Sequence, residues 1–430
     1  MSCGCNKTSL QGTQYCQECM PDELTWLVPT NGEPDPFFMD RHHAYITPNN
    51  EVYLLSHDRT RALGLEVKSS VKPKFILPSS IGIYKNMQFD LYFDGAIKYY
   101  QEFQKGNYYI TAQDTSASTP RVIEGKLLND KWFYTPAQDG IFKMKFRIVD
   151  TYTDAVVDEK EVEFVVKGKA TTGLNLVTIG DTFTDNYGIT KRLAELMEAG
   201  GATNNFIGLH DTGKAGVKDD AWSGWSWEHF SRGASGYKRV DRPDSSTNAT
   251  VNQFYNPTSK KFDFAYYMST YQSGKTVDTV IINLGLNDVQ KKTITEVASK
   301  LSQSRSDIEA ILNSIRSYNS AIKIFVGLIP KQPTDNTFLG SYSTTYNSSE
   351  RINHNIEVFN ELLLEMGAMK NVYIVPTNVN FNREVSYLTS TLVTDQITQE
   401  EVEKVSGLNP NPTGTEYIAR TLYQSLSQAE

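Results

Sequence analysis

The stretch Leu174–Asn186, LNLVTIGDTFTDN, constrains this chain more than any other. Leu174, Leu176, Val177 and Ile179 make a short, partly β-branched apolar run that stops at Gly180-Asp181, the pattern of a buried strand ending in a tight turn. A helix is predicted next: Thr190–Ala199 sets Leu193, Leu196 and Met197 on one face, with Gly200-Gly201 as the stop. Strand, glycine turn and helix in succession form the unit of an open α/β sheet, whose ligands bind just beyond the carboxyl ends of the strands. Residues 180–182 are therefore the first candidates for chemistry.

The same alternation continues downstream. Buried strands are predicted at Leu174–Ile179, Thr279–Leu284, Ile322–Leu328 and Val372–Pro376, and helices over Thr295–Ser317, Asn353–Met366 and Thr415–Gln428. This order implies a mostly parallel sheet covered on both faces, a three-layer α/β/α domain over residues 174–430. Residues 73–168 have a different texture. Runs such as KFILP, QFDLYF, NYYITAQD, DKWFYTP, IFKMKFRIVD and EVEFVV alternate apolar with polar residues at intervals of about ten, which fits an antiparallel immunoglobulin-like β-sandwich lacking a disulfide. Gly168–Gly173 (GKATTG) reads as the linker between the two. Residues 23–72 are broken by Pro29, Pro34, Pro36 and Pro48, and leave room for one hairpin, His43–Thr47 with Glu51–Ser56.

Composition narrows the function classes. With 430 residues, 39% hydrophobic and 21% charged, the chain has the make-up of a soluble multidomain protein. A net charge of −8 and no basic run exclude a nucleic-acid binder. No apolar stretch is long enough to span a bilayer, and the first residues lack the apolar core of a signal peptide, so synthesis in the cytoplasm without membrane insertion is expected.

All four cysteines, Cys3, Cys5, Cys16 and Cys19, lie at the start. A CxC pair followed by CxxC suits tetrahedral thiolate coordination, so residues 1–22 are expected to form a small structural zinc knuckle, with a local disulfide hairpin as the alternative. The pair His42-His43 is a poorer ligand set, because neighbours on a strand point to opposite faces. Tyr99, Tyr100, Tyr108, Tyr109, Trp132 and Tyr134 offer a sugar platform on paper, but aromatic residues on half-buried strands are expected to fill a core.

The motifs of the last domain carry a resemblance. Gly180-Asp181-Thr182 resembles the Gly-Asp-Ser block of the SGNH (GDSL-type) hydrolases. In AWSGWSWEHF, residues 221–230, Gly224 sits at the place of the family's second-block glycine, and Gly285-Leu286-Asn287-Asp288 matches the GxND block. The segment NQFYNPTSKKFDFAYYM, residues 252–268, is similar to one found in SGNH proteins of gut Bacteroidetes and their relatives. The resemblance implies an esterase fold over residues 174–428, with Thr182 at the nucleophile position and an oxyanion hole built from the N–H groups of Thr182 and Gly224 and the Asn287 amide.

The last block departs from the family. Where DxxH is expected, the chain reads Ser406-Gly407-Leu408-Asn409, followed by NPTGTEYIARTL in the family's downstream texture. An asparagine amide cannot take a proton near neutral pH, a serine cannot orient an imidazolium, and the extra methyl of Thr182 stiffens the nucleophile. Among other histidines, His210 and His229 lie near the blocks and His354 in a helix. The resemblance therefore implies a degenerate triad at Thr182, Ser406 and Asn409, and a structural or glycan-binding role. Asp181, Gly224 and Asn287 would remain at the site, and Trp222, Trp225 and Trp227 either line a sugar groove or cover a core. Modular architecture without an export signal suggests a bacteriophage virion component with virion proteins or glycans as partners. The alternative is an active carbohydrate esterase using Thr182.

Protein expressed with zinc and analysed by metal mass spectrometry is expected to carry one equivalent, lost in a Cys16→Ser, Cys19→Ser variant. Sub-stoichiometric metal in the parent protein removes the knuckle.

Overall fold

The structure is a computed structural model that describes residues 26–29, 43–46, 52–55, 62–65, 72–104, 108–116, 126–128, 130–168, 170, 172–232, 252–333, 349–394 and 401–429. It divides into two compact units, residues 1–72 and 73–430. In the first unit β1 (Trp26–Pro29), β2 (His43–Ile46), β3 (Val52–Leu55) and β4 (Ala62–Leu65) form one sheet in that order. The expected hairpin is β2–β3, paired antiparallel at Tyr45 with Tyr53 and Ile46 with Val52. The cysteine cluster lies outside the described residues.

The second unit begins with a β-rich layer: β5 (Lys74–Phe75), β6 (Ser80–Tyr84), β7 (Phe89–Tyr92), the helical turn α1 (Phe93–Ala96), β8 (Ile97–Lys98), α2 (Tyr100–Glu102), β9 (Tyr108–Asp114), β10 (Lys126–Leu127), β11 (Lys131–Tyr134), β12 (Gly140–Asp150) and β13 (Val156–Lys167). Its sheets run β6-β13-β12-β9 and β10-β11-β7. They share one core, with Ile81, Ile83, Phe146, Ile148 and Phe164 from the first and Phe89, Leu91 and Trp132 from the second. One pairing differs from the all-antiparallel expectation: β6 runs parallel to β13, with Ile81 opposite Phe164. These strands are distant in sequence, so no tight turn dictates their direction. Trp132 is buried in the core, as expected of strand aromatics, while Tyr109 is 40% exposed.

The α/β portion follows as β14 (Asn175–Gly180), α3 (Thr182–Tyr187), α4 (Ile189–Ala199), β15 (Asn205–Ile207), β16 (His210–Lys214), β17 (Val217–Ala221), α5 (Trp227–Arg232), β18 (Tyr255–Asn256), β19 (Lys261–Phe262), α6 (Phe264–Tyr271), β20 (Thr279–Asn283), α7 (Leu286–Val289), α8 (Ile294–Tyr318), β21 (Lys323–Gly327), α9 (Ser349–Met366), β22 (Val372–Val375), β23 (Tyr387–Thr394), β24 (Glu401–Pro410) and α10 (Pro412–Ser425). The main sheet is ordered β16-β17-β15-β14-β20-β21-β22, parallel except where β16 meets β17. Helix α8 starts with a capping box in which Thr293 and Glu296 satisfy each other's backbone N–H. Within the sheet β15-β14-β20-β21-β22 reads 2-1-3-4-5, a doubly wound order whose direction of winding reverses between β14 and β20.

Strand β22 forms one edge of the main sheet. The loop after it enters the β-rich layer, where Tyr92 N–H donates to Val379 O at 2.8 Å and Asn378 Nδ2 donates to Gly95 O at 3.0 Å. Arg383 pairs with Asp94 at 2.6 Å, and buried Lys331 pairs with Glu357 at 2.5 Å while donating to Ile97 O at 2.8 Å. From the other side, Gln424 donates to Gln88 O at 3.1 Å and Ser427 to Val165 O at 3.2 Å. The two layers thus share buried polar contacts that neither could satisfy alone. Gly95 is the tightest point, since a Cβ there would sit 1.9 Å from Asn378 O. Gly95→Ala is therefore expected to cost about 1–3 kcal/mol and lower the thermal midpoint followed by circular dichroism. An unchanged midpoint would show that the contact yields without cost.

Candidate functional site

At the winding reversal, the carboxyl ends of β14 and β20 lie side by side. Gly180 is opposite Asn283, and the Asp181 N–H donates to Asn283 O at 3.2 Å. The turn that leaves β14 must be glycine, because a Cβ at Gly180 would fall 2.3 Å from the Thr184 side chain. Asp181 then caps α3, its carboxylate accepting the Phe183 N–H at 3.1 Å, and Thr182 occupies the first position of the helix. From β20 the chain turns through Gly285, at φ +133°, into the short helix carrying Asn287 and Asp288. The first and third sequence blocks therefore meet where the fold order places a ligand crevice.

The second block closes over them. Gly224 takes φ +80°, a left-handed conformation that favours glycine, and aims its N–H at Thr182 Oγ1, 3.0 Å away. Around it, four of the five backbone N–H groups from 223 to 227 have a side-chain acceptor, all but that of Trp225, which donates to Trp222 O. Asp185 accepts the Ser223 N–H at 3.0 Å, Asn287 Nδ2 donates to Trp225 O at 2.9 Å, and Asp288 accepts the Trp227 N–H at 3.2 Å. Two of the three donors expected to form an oxyanion hole, Gly224 N–H and the Asn287 amide, are thus directed at protein atoms.

Each remaining candidate residue has a definite place. The Thr182 hydroxyl accepts from Gly224, and no imidazole or carboxylate among the described residues is hydrogen-bonded to it. Asn409 is half-buried near the end of β24, which packs beside α3, and Pro410 pairs with Tyr387. Ser406 lies on the same strand, with its side chain outside the described residues. Trp222, Trp225 and Trp227 are 3%, 2% and 0% exposed and belong to the main core, so they cover it and offer no open face to a sugar. Trp222 and Trp225 stack on each other at 4.9 Å. His210 is buried, with Nδ1 3.1 Å from Ala221 O, and His354 lies against Tyr99 of the β-rich layer. His229 does not serve Thr182: its Nδ1 lies 2.6 Å from Ser226 Oγ.

Two groups of residues escaped the sequence reading. One is Ser226, whose spacing to His229 is that of an N-cap to the third helical residue, a pattern open to recognition. The other is the buried Asp220, together with the raised proton affinity of Asp181 and Asp288, two residues that the blocks already placed at the site. Burial pushes Asp181 up to about 7, against the pull of the Phe183, Asp181 and Leu286 N–H groups, and Asp185 adds to the rise. Burial likewise takes Asp288 to about 7, with the Trp227 N–H opposing. Asp220 is pushed up to about 8 by burial, although it accepts the Tyr267 hydroxyl at 2.5 Å. Tyr267 comes from the 252–268 segment, which also buries Phe254, Phe262 and Phe264, and whose Asn252 donates to the carbonyls of His229 and Phe230. That segment braces the second block from behind.

No protein-family profile matches the chain, and no curated protein matches it either. Solved structures to which it is similar include a Clostridium thermocellum family 3 carbohydrate esterase, at 15% identity over 59% of this chain and 95% of that one, with a TM-score of 0.35. A family 3 carbohydrate esterase from Talaromyces cellulolyticus is 17% identical over 59% and 97%, with a TM-score of 0.36. A family 2 carbohydrate esterase with a carbohydrate-binding domain from Corynascus thermopiles (Myceliophthora fergusii) is 12% identical over 84% and 97%, with a TM-score of 0.33.

The raised carboxylates set a pH dependence. In the unfolded chain an aspartate ionises near its ordinary value of 3.8, whereas Asp181 and Asp288 hold their protons in the fold until about pH 7. Across that window the folded state binds more protons, so this contribution to stability falls as pH rises from about 4 to 7. Asp288→Asn is expected to flatten the fall in urea midpoints measured over that range. A slope unchanged by the substitution would mean that Asp288 ionises normally.

Proposed function

We propose that residues 174–428 are an SGNH-type hydrolase scaffold that has lost its acyl-transfer chemistry and serves in recognition or assembly. The observation that carries this reading is the state of Thr182: its hydroxyl accepts a hydrogen bond from Gly224 N–H and has no base among its described partners. A nucleophilic hydroxyl needs a neighbouring acceptor for its proton, oriented by a third group. Asparagine at 409 and serine at 406 supply neither. The 2-1-3-4-5 order and the meeting of the three blocks at the winding reversal support the scaffold half of the reading.

A p-nitrophenyl acetate assay separates this reading from an active esterase. The parent protein is expected to hydrolyse the ester at a rate unchanged by Thr182→Ala. The triple variant Thr182→Ser, Ser406→Asp, Asn409→His is expected to gain about 100-fold or more, the usual contribution of a positioned base. Turnover by the parent protein that disappears in Thr182→Ala would establish the esterase instead.

A further inference from the structure

We propose that His229 is an acid-sensitive latch on the loop that closes over Thr182. Ser226 caps α5, and His229 is the third residue of that helix. The His229 N–H donates to Ser226 Oγ at 3.4 Å, the Ser226 N–H donates to His229 Nδ1 at 3.1 Å, and Ser226 Oγ lies 2.6 Å from the same nitrogen. This is a capping box in which an imidazole stands where glutamate or glutamine is usual. Only an unprotonated Nδ1 can accept the Ser226 N–H, so the neutral ring with its proton on Nε2 is the form that closes the box.

Protonation changes the arrangement in a defined way. With a proton on Nδ1, the contact to Ser226 Oγ can survive by reversing its direction. The Ser226 N–H cannot: it then faces another N–H, inside a residue only 4% exposed. The stretch that loses one of its anchors is Gly224–Trp227, which carries the N–H held on Thr182 Oγ1 and keeps its bonds to Asn287 and Asp288. A carboxamide at position 229 would keep the acceptor at every pH, which is what makes histidine informative here. Ser226 is not a substitute nucleophile, because the same burial denies it a substrate carbonyl.

The surroundings fix the direction of the response. Burial holds the ring below the ordinary histidine range, Glu228 pulls it up and Lys292 pushes it down. Among the described residues, Arg232 pairs with Glu228 and with Asp307 of α8, Asp288 accepts the Trp227 N–H, and the remaining charged groups on the elements packed against α5 are Lys261 of β19 and Glu296, Lys300, Arg305, Glu309 and Arg316 of α8. A histidine whose folded value is depressed gives stability that is complete above about pH 6.5 and is lost as pH falls through the folded value. The latch therefore opens on acidification. It rests on the geometry of the loop alone and stands whether or not Thr182 reacts.

Hydrogen–deuterium exchange of the full chain at pH 7.5 and pH 5.0, corrected for intrinsic exchange, tests it. Protection of amides 223–230 is expected to fall about tenfold or more at pH 5.0 in the parent protein, and to change little in His229→Gln. Because Asp288 also gains a proton in this range, Asp288→Asn is expected to keep the fall. Equal protection at both values in the parent protein overturns the proposal, and so does a fall of the same size in His229→Gln. Nitrogen-15 shifts of the parent protein give a check that needs no variant: an Nδ1 that already carries the proton at pH 7.5 overturns it.

Discussion

The site depends on the parallel pairing of β14 with β20. Leu176 to Gly180 lie opposite Thr279 to Asn283 residue for residue, and the central strands are buried on both faces. Sliding one strand by a residue would exchange the faces of every side chain, so the packing of Val177, Ile179, Val280 and Ile282 fixes the register tightly. Once it is fixed, the turn carrying Asp181-Thr182 and the turn carrying Asn287-Asp288 must emerge together. The loop 222–227 is tied to this sheet at its start, where Ala221 pairs with Gly180 and the Trp222 N–H donates to Gly180 O at 2.9 Å, and continues beyond it. Its geometry is imposed by side chains from the two turns, and an unpartnered buried N–H would cost about 1–3 kcal/mol at each place.

Carboxylates suit this task for a reason that also sets its cost. An ionised aspartate is only an acceptor, so Asp185 and Asp288 can receive loop N–H groups without a donor of their own left over. Burial opposes the charge, and two such groups near each other oppose it further, which is why Asp181 and Asp288 both rise to about 7. The loop is therefore held in part by one carboxylate, Asp288, that titrates close to neutrality, and by a histidine whose acceptor is lost below it. Acid strengthens the fold through the carboxylates and weakens the loop through the imidazole, so global stability and local order need not follow the same pH profile.

Much of the α/β portion was legible in the sequence, because long buried runs and helical periodicity survive without knowledge of tertiary contacts. The predicted strand Ile322–Leu328 is β21 at Lys323–Gly327, and the predicted helix Thr295–Ser317 is α8 at Ile294–Tyr318. Short strands rich in polar residues were not legible: β16 and β17, HDTGK and VKDDA, have neither an apolar run nor clean alternation. The parallel pairing of β6 with β13 could not be read either, since it joins residues about eighty positions apart and leaves no local pattern. At the site, the glycines and Asn287 were recognisable from their blocks. The roles of Asp185 and Asp220 were not, because each is defined by a partner elsewhere in the chain, Ser223 and Tyr267 respectively, whereas that of Ser226 lay in its three-residue spacing to His229. The tryptophans show the reverse problem: three in six residues suggest a platform, yet burial makes them core.

On the SGNH reading, the positions that keep the family's residues and those that depart from it divide by physical duty. Asp181 caps α3, Gly224 needs its left-handed backbone, Gly285 has no space for a Cβ beside Ile329, and Asn287 and Asp288 hold the loop. Replacing any of these would strain the fold or leave buried groups unpaired, whatever the chain is used for. A nucleophile, a base and its orienting carboxylate have no comparable structural burden, since their special property is reactivity. Thr182 still receives the Gly224 N–H, which any hydroxyl at that place can do. On that same reading, a scaffold released from catalysis would change where only chemistry was at stake and keep what the loop requires, which would set residues 182, 406 and 409 on one side and 181, 224, 285, 287 and 288 on the other.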